Sequence, residues 1–160
     1  NTLSRIASLT KSSNSMALDK VKQLISNQKN LEKQIAVFQK QLASDQGDSL
    51  LSKATEIKGV KVLATEVLDI PAKDLRDLAD KLKDKLGSAI VVLAVVSDKK
   101  VSLVAAVTKN LTDKYQAGNI LKHVATQVGG KGGGRADMAQ GGGTEPEKLS
   151  MALSSIKDLL

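Results

Sequence analysis

Residues 71–107 read PAKDLRDLADKLKDKLGSAIVVLAVVSDKKVSLVAAV, and the way this stretch divides decides the fold. Pro71 suits the first turn of a helix, where its missing N–H costs nothing. Leu75, Leu78, Ala79, Leu82 and Leu86 then recur at steps of three and four, which places them on one helical face. Gly87 stands where a left-handed C-cap belongs. The period changes abruptly afterwards. AIVVLAVV (89–96) is a continuous apolar run, as a strand covered on both faces requires. The polar turn SDKK separates it from VSLVAAV (101–107), and the two runs together predict a hairpin.

Working outward, IKGVKVLATEVL from about residue 57 is rich in β-branched residues and predicts a first strand. On the other side, the polar stretch KNLTDKYQAG leads into NILKHVATQVGG. There Ile120, Leu121, Val124, Ala125 and Val128 share one helical face and Gly129 is the stop. Thr144 with Glu147 three residues on predicts a capping box, with Pro146 in the first turn. The last helix would then bury Leu149, Ala152, Leu153, Ile156 and Leu160. The order is helix, β, α, β, β, α, glycine loop, α, with no internal repeat.

Residues from about 15 to 44 contain neither Gly nor Pro. Val21, Leu24, Gln28, Leu31, Ile35, Phe38 and Leu42 alternate steps of three and four, the seam of a long coiled-coil-like helix that should end near Gln46, Gly47 and Asp48. Gln28 interrupts the seam, and the flanking Lys20, Asn27, Gln34, Gln41, Glu32 and Gln39 offer few complementary charges. Self-association and packing within the chain both remain open. The preceding NTLSRIASLTKSSNS carries Leu3, Ile6 and Leu9 at helical spacing before a polar break. The fold class expected is α+β: a long helical, coiled-coil-like subdomain (1–50) and then a globular mixed-sheet α/β subdomain with flanking helices (51–160).

The 160 residues are 41% hydrophobic, and Lys plus Arg exceed Asp plus Glu by 24 − 17 = 7. A basic chain of this kind points first to an anionic partner, with nucleic acid foremost. One Phe, one Tyr and no Trp leave too little ring surface for a single-strand binder built on stacking platforms. Without cysteine there is no disulfide, thiolate nucleophile or Cys-based zinc site, which fits a cytoplasmic protein. No run approaches eighteen apolar residues, so no membrane partner is expected. The first residue is Asn1, which suggests a piece of a longer protein.

Residues 129–143, GGKGGGRADMAQGGG, hold eight of the chain's 12 glycines. The P-loop template fails because Lys131 is followed by Gly132. The dinucleotide fingerprint fails because Arg135 stands where its third glycine belongs and the preceding element is a helix. Two readings remain. One is an ordered loop between two helices whose amides meet an anion beside Lys131 and Arg135; the other is a flexible connector. Met138 and Gln140, inside RADMAQ, favour the ordered loop.

Catalytic chemistry finds little here. His123 is the single histidine and is placed on or near the surface of its helix, away from any partner set for acid–base or metal work. Asp74, Asp77, Asp80 and Asp84 interleave with Lys73, Arg76, Lys81, Lys83 and Lys85, which reads as a solvated helix face with an Asp77–Lys81 pair.

GVKVLA (59–64), PAKDLRDLADKLKDKLGSAIVVLA (71–94), KVSLVAAVTKNLTDKYQAG (100–118) and VGGKGGGRADMAQGGG (128–143) together resemble the C-terminal region of bacterial alanyl-tRNA synthetase, with its DHH-associated domain. The resemblance spans essentially the whole chain, and the last two segments are specific to that domain. It implies an accessory tRNA-binding module that contacts the outer corner of tRNA, where the D and T loops meet, and helps aminoacylation and editing act on one tRNA. In some members the region also self-associates. Related domains occur in DHH phosphoesterases, which leaves a nuclease C-terminal domain as an alternative.

Carried onto this chain, the family's glycine stretch falls on Gly129, Gly130, Gly132, Gly133 and Gly134, and the turn after it on Ala139, Gln140, Gly141 and Gly142. Lys131 and Arg135 are the charged companions. These residues are the expected nucleic-acid face. Where some related domains carry His in the motif, this chain has Lys131 and Arg135, so no hydrolytic role is expected. The resemblance implies no cofactor in this segment; ATP, Mg and Zn would serve regions of the parent enzyme absent from it.

Overall fold

The computed structural model describes residues 1–42 and 44–160. The chain divides into two compact units, Asn1–Ser44 and Asp45–Leu160.

In the first unit, helix α1 (Thr2–Leu9) is capped by Asn1, whose Oδ1 accepts the Ser4 N–H at 2.9 Å. Lys11, at φ 50°, turns the chain out of it. Helix α2 (Ala17–Leu51) follows. It does not stop at Gln46–Asp48 as expected. Gly47 stays helical because the end of α2 packs within the second unit, where a Cβ at 47 would lie 3.7 Å from Leu78. Tertiary contact outweighs the helix cost of a single glycine, about 1 kcal/mol.

The second unit is built on a six-stranded sheet in the order β1-β2-β3-β4-β6-β5. β1 (Thr55–Ile57) and β2 (Val60–Glu66) form a tight hairpin, since Lys58 and Gly59 at φ 51° and 83° supply the left-handed pair such a turn requires. The single strand expected from about residue 57 is thus two. Helix α3 (Leu75–Leu86) carries the chain from β2 to its parallel neighbour β3 (Ala89–Ser97). It ends at Gly87, φ 80°, as expected. β4 (Lys100–Val107) returns antiparallel to β3 through Asp98 and Lys99, both at positive φ. Every β3 residue from Ala89 to Val95 is buried, which explains the unbroken apolar run. The solvated α3 face forms a Lys83–Asp80 pair at 2.9 Å in place of the expected Asp77–Lys81.

Strand alternation sends the core to both sides. On one side Val62, Ile90, Val92, Leu103 and Ala105 pack under α4 (Ala117–Gln127) and α5 (Leu149–Ser154). On the other, Leu63, Val91, Leu93, Val104 and Ala106 pack under α3 and Leu50 of α2. At the β3–β4 end near the core, Thr108 Oγ1 accepts the Ala89 N–H at 3.1 Å, satisfying a buried donor.

The main departure from expectation lies after α4. Residues 129–143 are a β-hairpin, β5 (Lys131–Gly134) and β6 (Met138–Gly143), rather than a loop between helices. β6 completes the ladder of β4, pairing Val101 through Ala106 with Gly143 through Met138. Glycine is a poor strand former, yet the otherwise unpaired edge of β4 and the packing of α4 override that preference. The capping box is also absent. Glu145 precedes the helical turn Pro146–Lys148 without a side-chain cap, and Thr144 Oγ1 instead donates to the Gly129 carbonyl at 3.4 Å.

Candidate nucleic-acid interface

The register of the hairpin sorts the expected residues onto two faces. Lys131 lies opposite Gly142 and Gly133 opposite Gln140, while Gly132 lies opposite Gly141 and Gly134 opposite Ala139. Neighbours across the ladder share a face, and successive residues alternate. Lys131, Gly133, Gln140 and Gly142 therefore form one face; Gly132, Gly134, Ala139 and Gly141 form the other.

The second face is a packing face. α4 lies directly on it: a Cβ at Gly132 would meet the Leu121 side chain at 2.9 Å, and one at Gly118 of α4 would meet the Gly134 carbonyl at the same distance. Gly141 backs onto Gly132, and Gly130 onto the Gly142 carbonyl. Gly129 ends α4 with φ 72° and donates its N–H to the Thr126 carbonyl. Six of the expected contact residues, Gly129, Gly130, Gly132, Gly134, Gly141 and, against the Val101 carbonyl, Gly142, thus have a reason to be glycine inside the fold.

The first face is uncovered. α3 packs on β3 and β4, and on this side β6 is buried with that core only at Met138, so that Gln140 and the β5 positions Lys131 and Gly133 stay open among the described residues. Lys131, Gly133 and Gln140 are exposed and Gly142 is half-buried. A Cβ at Gly133 would meet nothing within 4 Å, and its φ is not in the left-handed region. Among the described residues, nothing requires glycine there. Arg135 follows at the turn with its side chain 73% exposed; its Nε lies 3.5 Å from Asp137 Oδ1. Its N–H donates to the Met138 carbonyl, which closes the hairpin.

The Ser102 hydroxyl on the next strand borders this face, and it lies outside the set that the glycine motif singles out. Ser102 lies opposite Gly142, and Val104 opposite Gln140. The signal is present in the alternation of VSLVAAV, but it has meaning only once β6 is known to pair with β4.

His123 is half-buried in a polar cluster away from this face. Its Nε2 lies 2.9 Å from Ser155 Oγ and 2.8 Å from Gln127 Nε2, and Gln127 also donates to Ser155 Oγ at 2.8 Å. Ser155 in turn donates to the Ala152 carbonyl at 2.7 Å. The cluster ties α4 to the turn Ser155–Leu159. Among the described residues, no three His, Cys, Asp or Glu side chains gather as a metal site. Among them too, no helix is long and apolar enough to cross a membrane.

The DHHA1 domain model matches residues 59–160. Over its whole length the chain is 59% identical to the alanine–tRNA ligase of Ruthia magnifica subsp. Calyptogena magnifica and 60% identical to that of Vesicomyosocius okutanii, covering 18% of each. In structure it is similar to the C-Ala domain of Aquifex aeolicus alanyl-tRNA synthetase, with a TM-score of 0.64 and 31% identity over 68% of this chain and 97% of that one. RecJ from Thermus thermophilus shares the fold alone, at a TM-score of 0.56 and 12% identity over 91% of this chain and 20% of that one. The chain spans under a fifth of the length of the ligases it matches. It belongs to the DHHA1 domain family, as the counterpart of the C-terminal segment of bacterial alanyl-tRNA synthetases.

Proposed function

We propose that the chain is an accessory tRNA-binding module, and that the uncovered face of the β5–β6 hairpin is its RNA surface. The observation that carries this reading is Gly133, the exposed hairpin glycine with open space where a side chain would stand. A bare strand there lets a bulky partner reach the backbone, and Lys131 and Arg135 supply positive charge beside it. Recognition of a folded RNA by shape, sugar hydroxyls and phosphates needs such a surface and does not need stacking rings. The net charge of +7 supports the same partner, as does the name of the matched relatives, alanine–tRNA ligase. The module binds the outer corner of tRNA, at the D and T loops, and helps the parent enzyme's aminoacylation and editing act on one tRNA. It uses no cofactor of its own.

Titration of alanine tRNA with the 160-residue chain across a salt series tests the proposal. Removing one cation that neutralises a phosphate lowers the salt slope by about one, so Lys131→Ala with Arg135→Ala should lower it by about two. Unchanged binding in this double variant would remove the hairpin from the account.

A second reading rests on α2. Leu24, Leu31, Ile35, Phe38 and Leu42 are each 46–63% exposed, an open stripe at coiled-coil spacing among the described residues. We propose that a second copy covers this stripe, with Gln28 held by Glu32 at 3.1 Å as the polar break in the seam.

A further inference from the structure

We infer that the RNA surface continues from the hairpin across β4 to Ser102 and Lys100, an inference that rests on the reading of the hairpin face given above. β4 is covered unevenly on this side of the sheet. Val104 is 4% exposed under α3, Ser102 is half-buried, and Lys100 is exposed. The cover therefore recedes toward the start of β4, beside half-buried Gly142 and exposed Lys131. Val101 and Leu103 belong to the opposite core, which sets Lys100 and Ser102 on the same face as Lys131.

The open positions join into one diagonal band: Gly133 and Gln140, then Lys131, Gly142 and Ser102 in a single row across three strands, then Lys100. Gly142, between the Ser102 hydroxyl and the Lys131 ammonium, leaves bare backbone. A Cβ at that position would lie 2.5 Å from the Val101 carbonyl, so the fold itself keeps the gap open. The band carries no carboxylate, and neither Lys100 nor Lys131 enters an ion pair among the described residues. Two strand spacings and two residues along β4 separate their Cα atoms by about 12 Å. The band thus offers one ammonium at the Lys131 end of its middle row and another at Lys100, with a hydroxyl between them and a flat floor. Its ligand is a stretch of sugar–phosphate backbone whose phosphates reach both ammoniums and whose ribose hydroxyl faces Ser102.

Salt-dependent titration of alanine tRNA with the 160-residue chain and three single variants tests this. Lys100→Ala and Lys131→Ala remove the band's two ammoniums; Lys157→Ala, exposed beyond α5 on the opposite side of the sheet, controls for net charge. The expected result is a salt slope lower by about one for both Lys100→Ala and Lys131→Ala, with Lys157→Ala like the parent. If Lys131→Ala lowers the slope while Lys100→Ala matches Lys157→Ala, the extension is wrong and the hairpin reading stands. If neither lowers it beyond Lys157→Ala, the hairpin reading fails and the extension with it.

Discussion

Gly118 of α4 sits so close to Gly134 of β5 that a methyl group at 118 would stand 2.9 Å from the Gly134 carbonyl oxygen. The helix is seated on the hairpin backbone itself, and the Gly118 N–H donates to the Arg135 carbonyl at 3.2 Å. Alanine in a helix normally gains up to about 1 kcal/mol over glycine. Here that gain is set against overpacking, about 1–3 kcal/mol, and the group in the way is main chain rather than a side chain that can rotate aside. Gly118→Ala should therefore lower stability by up to about 2 kcal/mol. Gly133→Ala, with open space and ordinary φ, should leave stability unchanged or raise it by up to about 1 kcal/mol. Urea unfolding of both variants checks the contrast; equal losses would contradict the division of the hairpin into a packing face and an open face.

That division also marks what is legible in the sequence and what is not. Helix α3, the buried β3 and the β3–β4 hairpin are legible because Leu75 to Leu86 keep the helical period and residues 89–107 break it. Gly87 and Gly129 are legible as stops because both need positive φ. The hairpin at 131–143 is not, since glycine carries no side-chain alternation from which a strand or its register can be read. Its pairing is imposed by β4, a non-local demand. For the same reason the expected site residues form one undivided set in the sequence, although only Lys131, Gly133, Gln140 and Gly142 line the uncovered face. Ser102, far from Gly142 along the chain, is invisible as their neighbour until the strands are paired.

The polar cluster of His123, Gln127 and Ser155 holds α4 to the last turn of the chain. Ser155→Ala removes the hydroxyl that Gln127 and His123 share and should cost about 1 kcal/mol of stability. Its tRNA affinity should equal that of the parent, because the cluster lies on the opposite side of the sheet from the hairpin face. Thermal unfolding together with tRNA titration checks both halves; full stability with weakened binding would assign the cluster to the RNA surface instead.

Sedimentation at several concentrations checks the α2 stripe. If a second copy covers it, the parent chain sediments as a dimer at high concentration, and Leu31→Glu with Phe38→Glu, which places charge in the middle of the seam, yields monomer throughout. A monomeric parent at every concentration would rule out self-association through this helix.

Footprinting of alanine tRNA by the 160-residue chain, with the parent and with Gly133→Glu side by side, tests the central claim most directly. The carboxylate introduced at position 133 would stand in open space on the hairpin face, so the fold is expected to tolerate it while RNA is repelled. The account predicts protection of the D and T loops by the parent and its disappearance with Gly133→Glu. Protection confined to the acceptor stem, or D- and T-loop protection that persists in Gly133→Glu, would contradict it.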